Sequence, residues 1–209
     1  GWTPMVPLTD GYALKGVARY GLNYGPLRLW GSAAFIAGAL ACGLLVDLIA
    51  PQHLIWVIAA MAAAGAIAGL GLRPIDAPGA TASGPAGAAG LLSNPGFLAI
   101  ILASALIQGS HALYYGFSAL DWSKAGLDGT VIAMLWALGV LAEIALFAAQ
   151  GRLPPVLTPA VLMFIGGAGG ALRWLVMAFD PPTAALPILQ LLHGLSFGAT
   201  HLGALALLV

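Results

Sequence analysis

The stretch GFLAIILASALIQGSHALYYGFSALDW, residues 96–122, joins a long apolar run to a row of polar side chains. The run is long enough to cross the hydrocarbon core of a bilayer, which is about 30 Å thick. The polar residues recur at spacings of 4, 3, 4, 3 and 4, which places them in one stripe on a single helical face. The members of the stripe are Ser104, Gln108, His111, Tyr115, Ser118 and Trp122. Because unpaired polar groups are costly in lipid, this face either bonds to other helices or lines a wet cavity.

The whole chain is predominantly apolar, like this stretch. Of its 209 residues, 61% are hydrophobic and 7% are charged, whereas a soluble domain has about 25% charged residues. The composition therefore predicts an all-α membrane protein with several spans. Zero net charge gives no indication of nucleic-acid binding, and the single Cys42 excludes an internal disulfide. Since metal-binding and phosphate-binding motifs are lacking, we expect neither a metal nor a cofactor.

Apolar segments along the chain predict six full spans after a partial helix at residues 1–14. The spans are 27–49, 53–72, 96–119, 129–150, 157–178 and 184–207. The Gly-, Ala- and Pro-rich stretch 73–94 is predicted to be a flexible loop. The chain begins with Gly1 and ends in GALALLV, which we interpret as an internal fragment of a larger protein.

Basic residues predict which side of the membrane each loop faces. The connections 13–27, 73–94 and 151–156 share one side of the membrane, and five of the six basic residues near the span ends lie at that side. These five are Lys15, Arg19, Arg28, Arg73 and Arg152, whereas the other side has only Lys124. We therefore expect those three connections to be cytoplasmic, in a multi-pass protein of the cell inner (plasma) membrane.

Ionisable residues inside the predicted spans are candidates for function, because a buried charge is expensive. Glu143 and Arg173 are predicted to differ in depth by ~12 Å at 1.5 Å per residue. A relay through His193 is therefore easier than a direct bridge. Asp10 and Arg28 lie on neighbouring helices, and they could form a structural salt bridge or clamp a polar substrate. These groups, converging in a bundle, favour a proton-coupled carrier.

Several stretches resemble the major facilitator superfamily, in particular its 3-phenylpropionate transporter group. They are PLTDGYA (7–13), LNYGPLRLWGSAAFIAGA (22–39), QGSHALYYGFSALDW (108–122), LWALGVLAEIALF (135–147), ALRWLVMA (171–178) and QLLHGLSFGATHLGAL (190–205). The resemblance implies a helical bundle of twelve spans, of which this chain covers roughly helices 4 to 10. It implies three parts: the end of the N-terminal half (1–72), the central cytoplasmic loop (73–94) and a truncated C-terminal half (95–209).

A more distant resemblance is to the lactose permease family. Asp10 and Arg28 are similar to its acidic–basic sugar-binding pair, and Phe35 stands where that family has a ring-stacking tryptophan. The remaining matches are to a glutamate, an arginine and a histidine of its C-terminal half, here Glu143, Arg173 and His193.

Three positions depart from that permease pattern. Gln190 replaces a lysine, Tyr114 replaces the aspartate that pairs with it, and Ser196 replaces a glutamate. Losing both partners of a buried ion pair together is physically consistent. The missing glutamate is that family's usual proton carrier, so proton coupling would depend on Glu143, Asp10 or a histidine.

The sequence thus predicts a secondary transporter, not an enzyme, that imports a small organic solute with protons and works as a monomer in the bilayer. By resemblance the solute is 3-phenylpropionate or a related aromatic acid; a sugar or nucleoside symporter is the alternative. If the protein were a membrane enzyme, we would expect a catalytic cluster near one membrane interface. If it were a structural or sensor protein, neutralising Glu143 would leave all activity intact. The predicted substrate-binding residues are Asp10, Arg28, Phe35, His111, Tyr115, Trp136 and Arg173. The predicted proton-coupling residues are Glu143, His193 and His201.

Overall fold

The computed structural model describes residues 5–22, 24–76 and 87–208, and these form helices without a strand. The α-helices are α1 (Met5–Tyr20), α2 (Tyr24–Leu48), α3 (Leu54–Leu70), α4 (Gly87–Leu92), α5 (Pro95–Lys124), α6 (Gly129–Ala149), α7 (Pro159–Met177), α8 (Leu186–Leu191) and α9 (Thr200–Leu208). A π-helical segment, Gly194–Ala199, separates α8 from α9. The predicted all-helical fold is confirmed.

Short polar side chains cap the N-termini of three of the long helices. Asn94 accepts hydrogen bonds from the backbone N–H groups of Gly96 and Phe97 at the start of α5, with Pro95 in the first turn. Asp128 and Thr158 cap α6 and α7 in the same way. Each cap satisfies backbone donors that have no partner within the helix. The caps therefore fix where the membrane-crossing segments begin.

Two predicted loop boundaries are wrong. Helix α1 continues to Tyr20, so the connection to α2 consists of residues 21–23, and Gly21 allows it to turn with a φ of +64°. Helix α5 continues to Lys124 rather than stopping at residue 119. Its extra turn is stabilised because Trp122 is buried against Ile132 and Leu135.

Four helices are long and apolar enough to cross a membrane: Pro26–Leu48, Pro95–Lys124, Gly129–Arg152 and Pro159–Met177. Helix α3 has 17 residues, fewer than the predicted span 53–72. The predicted span 184–207 is divided by the π-helical segment. In the stretch predicted as a loop, 87–92 form α4, and 77–86 lie outside the described residues. Residues 1–4 of the predicted partial helix lie outside them too.

Helix α7 packs closely against the π-helical segment and α9. A Cβ atom added at Gly166 would clash with the Thr200 hydroxyl, and one at Gly170 would lie 3.5 Å from the Ser196 Cβ. Small residues at this spacing let two helix backbones approach. This contact holds the last predicted span against α7, which places His193 and Ser196 in the interior of the bundle.

Helices α2 and α6 pack antiparallel along most of their length. At one end, which we call the Asp47 end, a Cβ atom on Gly43 would lie 2.6 Å from the carbonyl oxygen of Gly129. The Asp47 carboxylate accepts hydrogen bonds from the backbone N–H groups of Gly129 and Thr130 and from the Thr130 hydroxyl, at 3.1 to 3.3 Å. At the other end, the Arg28 end, Arg28 faces α6.

Candidate functional site

The Arg28 end contains an ion pair between two helices. The Arg28 guanidinium lies 3.4 Å from the Glu143 carboxylate, and their side chains are 19% and 4% exposed. A second Arg28 nitrogen lies 3.5 Å from the Ser32 hydroxyl. The sequence placed Asp10 beside Arg28, but among the described residues the ion pair of Arg28 is with Glu143, while Asp10 is half-buried on α1. The Arg28 Nε atom is buried without a hydrogen-bond partner.

His193 lies between Glu143 and Arg173. Its Nδ1 atom is 3.2 Å from an Arg173 nitrogen, and its Nε2 atom is 3.8 Å from the Glu143 carboxylate. Because a guanidinium can only donate hydrogen bonds, Nδ1 must accept. His193 is therefore neutral with its proton on Nε2, which faces Glu143 and the Tyr115 hydroxyl at 3.4 Å. The structure thus has the order of residues predicted for a relay, although the role of a relay stays a prediction.

Arg173 is completely buried among neutral groups. It donates to the Gln190 side-chain oxygen at 2.7 Å, and that oxygen also accepts from the Tyr114 hydroxyl at 2.7 Å. The guanidinium carbon lies 4.5 Å and 4.7 Å from the ring centroids of Tyr114 and Trp174, which adds cation–π attraction. Two of the positions that depart from the permease pattern are therefore hydrogen-bonded to each other.

His111 is enclosed rather than open to a cavity, with 2% of its surface exposed. Its Nδ1 atom lies 3.0 Å from the carbonyl oxygen of Ile107 and therefore donates to it. Its Nε2 atom, 3.1 Å away from the Ser196 hydroxyl, must then accept. His111 packs edge-on against Trp174 at 5.1 Å between ring centroids. His111 thus links α5 to the π-helical segment through its hydrogen bond with Ser196.

His201 lies apart from the Glu143–His193–Arg173 row. Its ring stacks on Phe197 and lies 5.8 Å from the Phe147 ring, centroid to centroid. Its Nε2 atom is buried and has no hydrogen-bond partner. The structure therefore does not bring it into contact with the other predicted proton-coupling residues.

A narrow aromatic pocket, too tight in this arrangement to admit a water molecule, lies beside His193. Tyr115 and Trp136 meet edge to face, with ring centroids 5.9 Å apart. Phe35 contributes from α2 and is 40% exposed. The pocket is lined by Phe35, Tyr114, Tyr115, Trp136, Gly139, Val140 and His193. Helix α2 precedes residues 73–94 in the chain and helix α6 follows them, and both thus contribute to the wall of this pocket.

Close backbone contact positions His193 against α6. A Cβ atom on Gly194 would lie 3.0 Å from the carbonyl oxygen of Ala142, the residue before Glu143. Gly139 meets His193 itself, because a Cβ atom there would lie 3.2 Å from the His193 Cβ. These two glycines allow the histidine to reach the carboxylate from a neighbouring helix.

Sequence reasoning missed several residues of this site. Ser32 follows Arg28 by one helical turn, and that spacing could have indicated it. Trp174 contacts the Arg173 guanidinium and donates a hydrogen bond to the Ser110 hydroxyl, a link that only the packing of α5 against α7 reveals. Within residues 5–22, 24–76 and 87–208, no three His, Cys, Asp or Glu side chains form a group that could hold a metal ion. The site offers one guanidinium, Arg28, one carboxylate, Glu143, and the imidazole of His193 within reach of one another.

Comparisons with known proteins assign the family. The model of the MFS_1 like family matches residues 1–208. The chain is 35% identical to the probable 3-phenylpropionic acid transporter of Escherichia coli (strain K12), over 98% of the chain and 54% of that protein. It is 32% identical to the maltose permease of Geobacillus stearothermophilus, over 93% of the chain and 49% of that protein.

The chain thus spans about half the length of the curated relatives it matches. No solved structure matches it significantly. The family match extends over all the helices that build the ion pair, the histidine row and the aromatic pocket. The chain belongs to the MFS_1 like family, within the major facilitator superfamily of membrane transporters.

Proposed function

We propose that the chain is part of a secondary carrier that imports a small aromatic carboxylate, such as 3-phenylpropionate, together with protons. The observation that carries this proposal is the Arg28–Glu143 ion pair, whose carboxylate lies 3.8 Å from His193, a residue that lines the aromatic pocket. A guanidinium binds a carboxylate in a planar fork, and aromatic side chains bind an aryl ring. The relative named as a probable 3-phenylpropionic acid transporter supports the same solute class.

Arg28 is the better anchor for the solute of the two buried arginines. Its side chain is 19% exposed, so a solute can reach its donors. Arg173 is 0% exposed, with Trp174 and Tyr114 over its faces. We assign Arg173 the role of holding His193 in place rather than touching the solute.

Transport would proceed by alternating access, in which the two halves rock around a central site. The contact of α2 with α6 joins residues from the predicted N-terminal half (1–72) and C-terminal half (95–209). By the distribution of basic residues, the Asp47 end would face the outside and the Arg28 end the cytoplasm. The described arrangement, closed at the Asp47 end, then corresponds to a carrier sealed from the outside.

A sugar symporter is the second candidate, since one relative is named as a maltose permease. In that case the Arg28–Glu143 pair would hydrogen-bond to sugar hydroxyls. The two candidates differ in the charge of the solute. A carboxylate needs a cation at the site, whereas a neutral sugar needs matched donors and acceptors.

Uptake by cells that express the full-length carrier tests the proposal. We expect saturable uptake of labelled 3-phenylpropionate that a protonophore suppresses, because a proton-coupled carrier uses the proton gradient. Arg28→Gln should reduce this uptake at least about tenfold, the cost of removing a charged hydrogen bond. The matched control is Arg152→Gln, which neutralises an exposed arginine. Uptake of labelled maltose without uptake of 3-phenylpropionate would establish the second candidate instead.

A further inference from the structure

We infer that the solute and Glu143 compete for Arg28, so that binding of one monocarboxylate forces Glu143 to take up one proton. This inference rests on the proposed function, and it specifies how proton and solute are coupled. It makes the carrier electroneutral for a monocarboxylate, because one negative charge and one proton move together.

The first step is the burial of Glu143. Its carboxylate is 4% exposed, and Arg28 is its cationic partner. A carboxylate that loses its partner in such a place cannot be solvated by water, and it therefore becomes protonated. Glu143 is thus able to remain ionised only while Arg28 is available to it.

The second step concerns the other groups around Glu143. His193 is neutral because its Nδ1 atom accepts from Arg173, so it supplies a donor but no positive charge. The Tyr115 hydroxyl, which lies 3.4 Å from the His193 Nε2 atom, carries no positive charge, and neither does the Tyr24 hydroxyl. Among the described residues, none of these can replace the guanidinium.

The third step concerns Asp10, a second carboxylate near the Arg28 end. It lies on α1, which packs against α2, the helix of Arg28. Asp10 is half-buried, so water can solvate it when Arg28 is occupied. Of the two carboxylates, Glu143 is therefore the one that needs the proton.

The cycle balances in charge and in protons. The solute carboxylate forms an ion pair with Arg28, and Glu143 takes one proton from the water on the loading side to become a neutral acid. When the solute leaves, Arg28 returns to Glu143 and the proton is released to the water on the other side. The O–H bond of the protonated Glu143 carboxyl group is the covalent bond that forms, and it breaks again when the proton is released; no bond between heavy atoms changes.

Calorimetric titration of the purified full-length carrier with 3-phenylpropionate, in buffers of different ionisation enthalpy, counts the protons taken up. We expect about one proton per bound solute. The affinity should fall as pH rises, by up to about tenfold per pH unit, because binding consumes a proton. Glu143→Gln, which mimics the protonated acid, should take up no proton, show no pH dependence and bind at every pH with the affinity that the unmodified carrier approaches at low pH.

Two controls keep the result interpretable. Asp180→Asn removes an exposed carboxylate at a position with a φ of 50°, which asparagine tolerates, and it should retain the uptake of one proton. The neutral analogue 3-phenylpropanamide, which cannot replace a carboxylate on Arg28, should bind to the unmodified carrier at least tenfold more weakly and without proton uptake.

Different results would overturn different claims. Binding of 3-phenylpropionate without proton uptake, or proton uptake that persists in Glu143→Gln, would overturn the competition at Arg28 while leaving a carrier of aromatic acids. Uptake into proteoliposomes that a membrane potential drives would overturn electroneutrality. Failure of the carrier to bind 3-phenylpropionate at all would overturn the proposed function together with this inference.

Discussion

The two ends of the α2–α6 contact are closed by different kinds of interaction. At the Asp47 end, Gly43 and Gly129 bring the two backbones together, and a carboxylate caps the first turn of α6. At the Arg28 end, two long charged side chains meet at 3.4 Å. The contact at Gly43 and Gly129 depends on the close fit of two backbones. The ion pair at Arg28 depends on charge, and another carboxylate can replace its partner. We therefore predict that the Asp47 end responds to substitutions that change packing and that the Arg28 end responds to substitutions that change charge.

The largest effect is expected from breaking the Asp47 end with Gly43→Val. The added side chain would push α2 away from Gly129 and Ala133, and overpacking of this kind costs about 1–3 kcal/mol. Because about 1.4 kcal/mol corresponds to a factor of ten, we expect transport to fall by about tenfold or more. The alkylation rate of Thr130→Cys, in a carrier without Cys42, should rise as this end opens.

Gly65→Val is the control for that substitution. It lies on α3, and a Cβ atom there meets no described atom within 4 Å. It should change neither transport nor alkylation by more than about twofold. An equal loss of transport in both variants would contradict a special role for the glycine contact.

A smaller effect is expected from Asp47→Asn. Asparagine keeps one oxygen acceptor but loses the charge that stabilises the N-terminus of α6. Hydrogen bonds to charged groups contribute about 1.5–3 kcal/mol, and part of this remains in the variant. We therefore expect alkylation of Thr130→Cys to accelerate about three- to tenfold. If Asp47→Asn behaves like Asp180→Asn, the carboxylate does not hold this end closed.

The smallest effect is expected from Ser32→Ala at the Arg28 end. The Ser32 hydroxyl is 3.5 Å away from Arg28, which is a long and weak hydrogen bond. Its loss should weaken the affinity for 3-phenylpropionate by about two- to threefold and leave the proton count at one. A change in the proton count would mean that orientation of Arg28, rather than its charge alone, controls Glu143.

Much of the fold follows from the sequence, because apolar length and caps are local signals. Asn94–Pro95 predicts the start of α5 within one residue, and the polar stripe predicts the face that α5 buries. The extra turn that ends at Lys124 escaped prediction because Asp121 and Lys124 are typical of loops. That turn is stabilised by Trp122, whose partners lie on another helix.

The candidate site was less predictable, because its pairs form between distant segments. The sequence identified Arg28 and Glu143 separately but paired Arg28 with Asp10, the nearest acid on a neighbouring helix. The actual partner is 115 residues away in the chain. A count of 1.5 Å per residue also does not describe a π-helical segment. Such a count names no contact partners, and the stacking of His201 on Phe197 therefore could not be predicted.

Infrared difference spectroscopy of the full-length carrier tests the central claim most directly, because it detects the protonated carboxyl group itself. On addition of 3-phenylpropionate we predict the C=O stretching band of a newly protonated carboxylic acid, and we predict that Glu143→Gln abolishes it. The amide analogue should produce no such band. Solute binding without the band, or a band unchanged in Glu143→Gln, would contradict the exchange of counter-ions at Arg28.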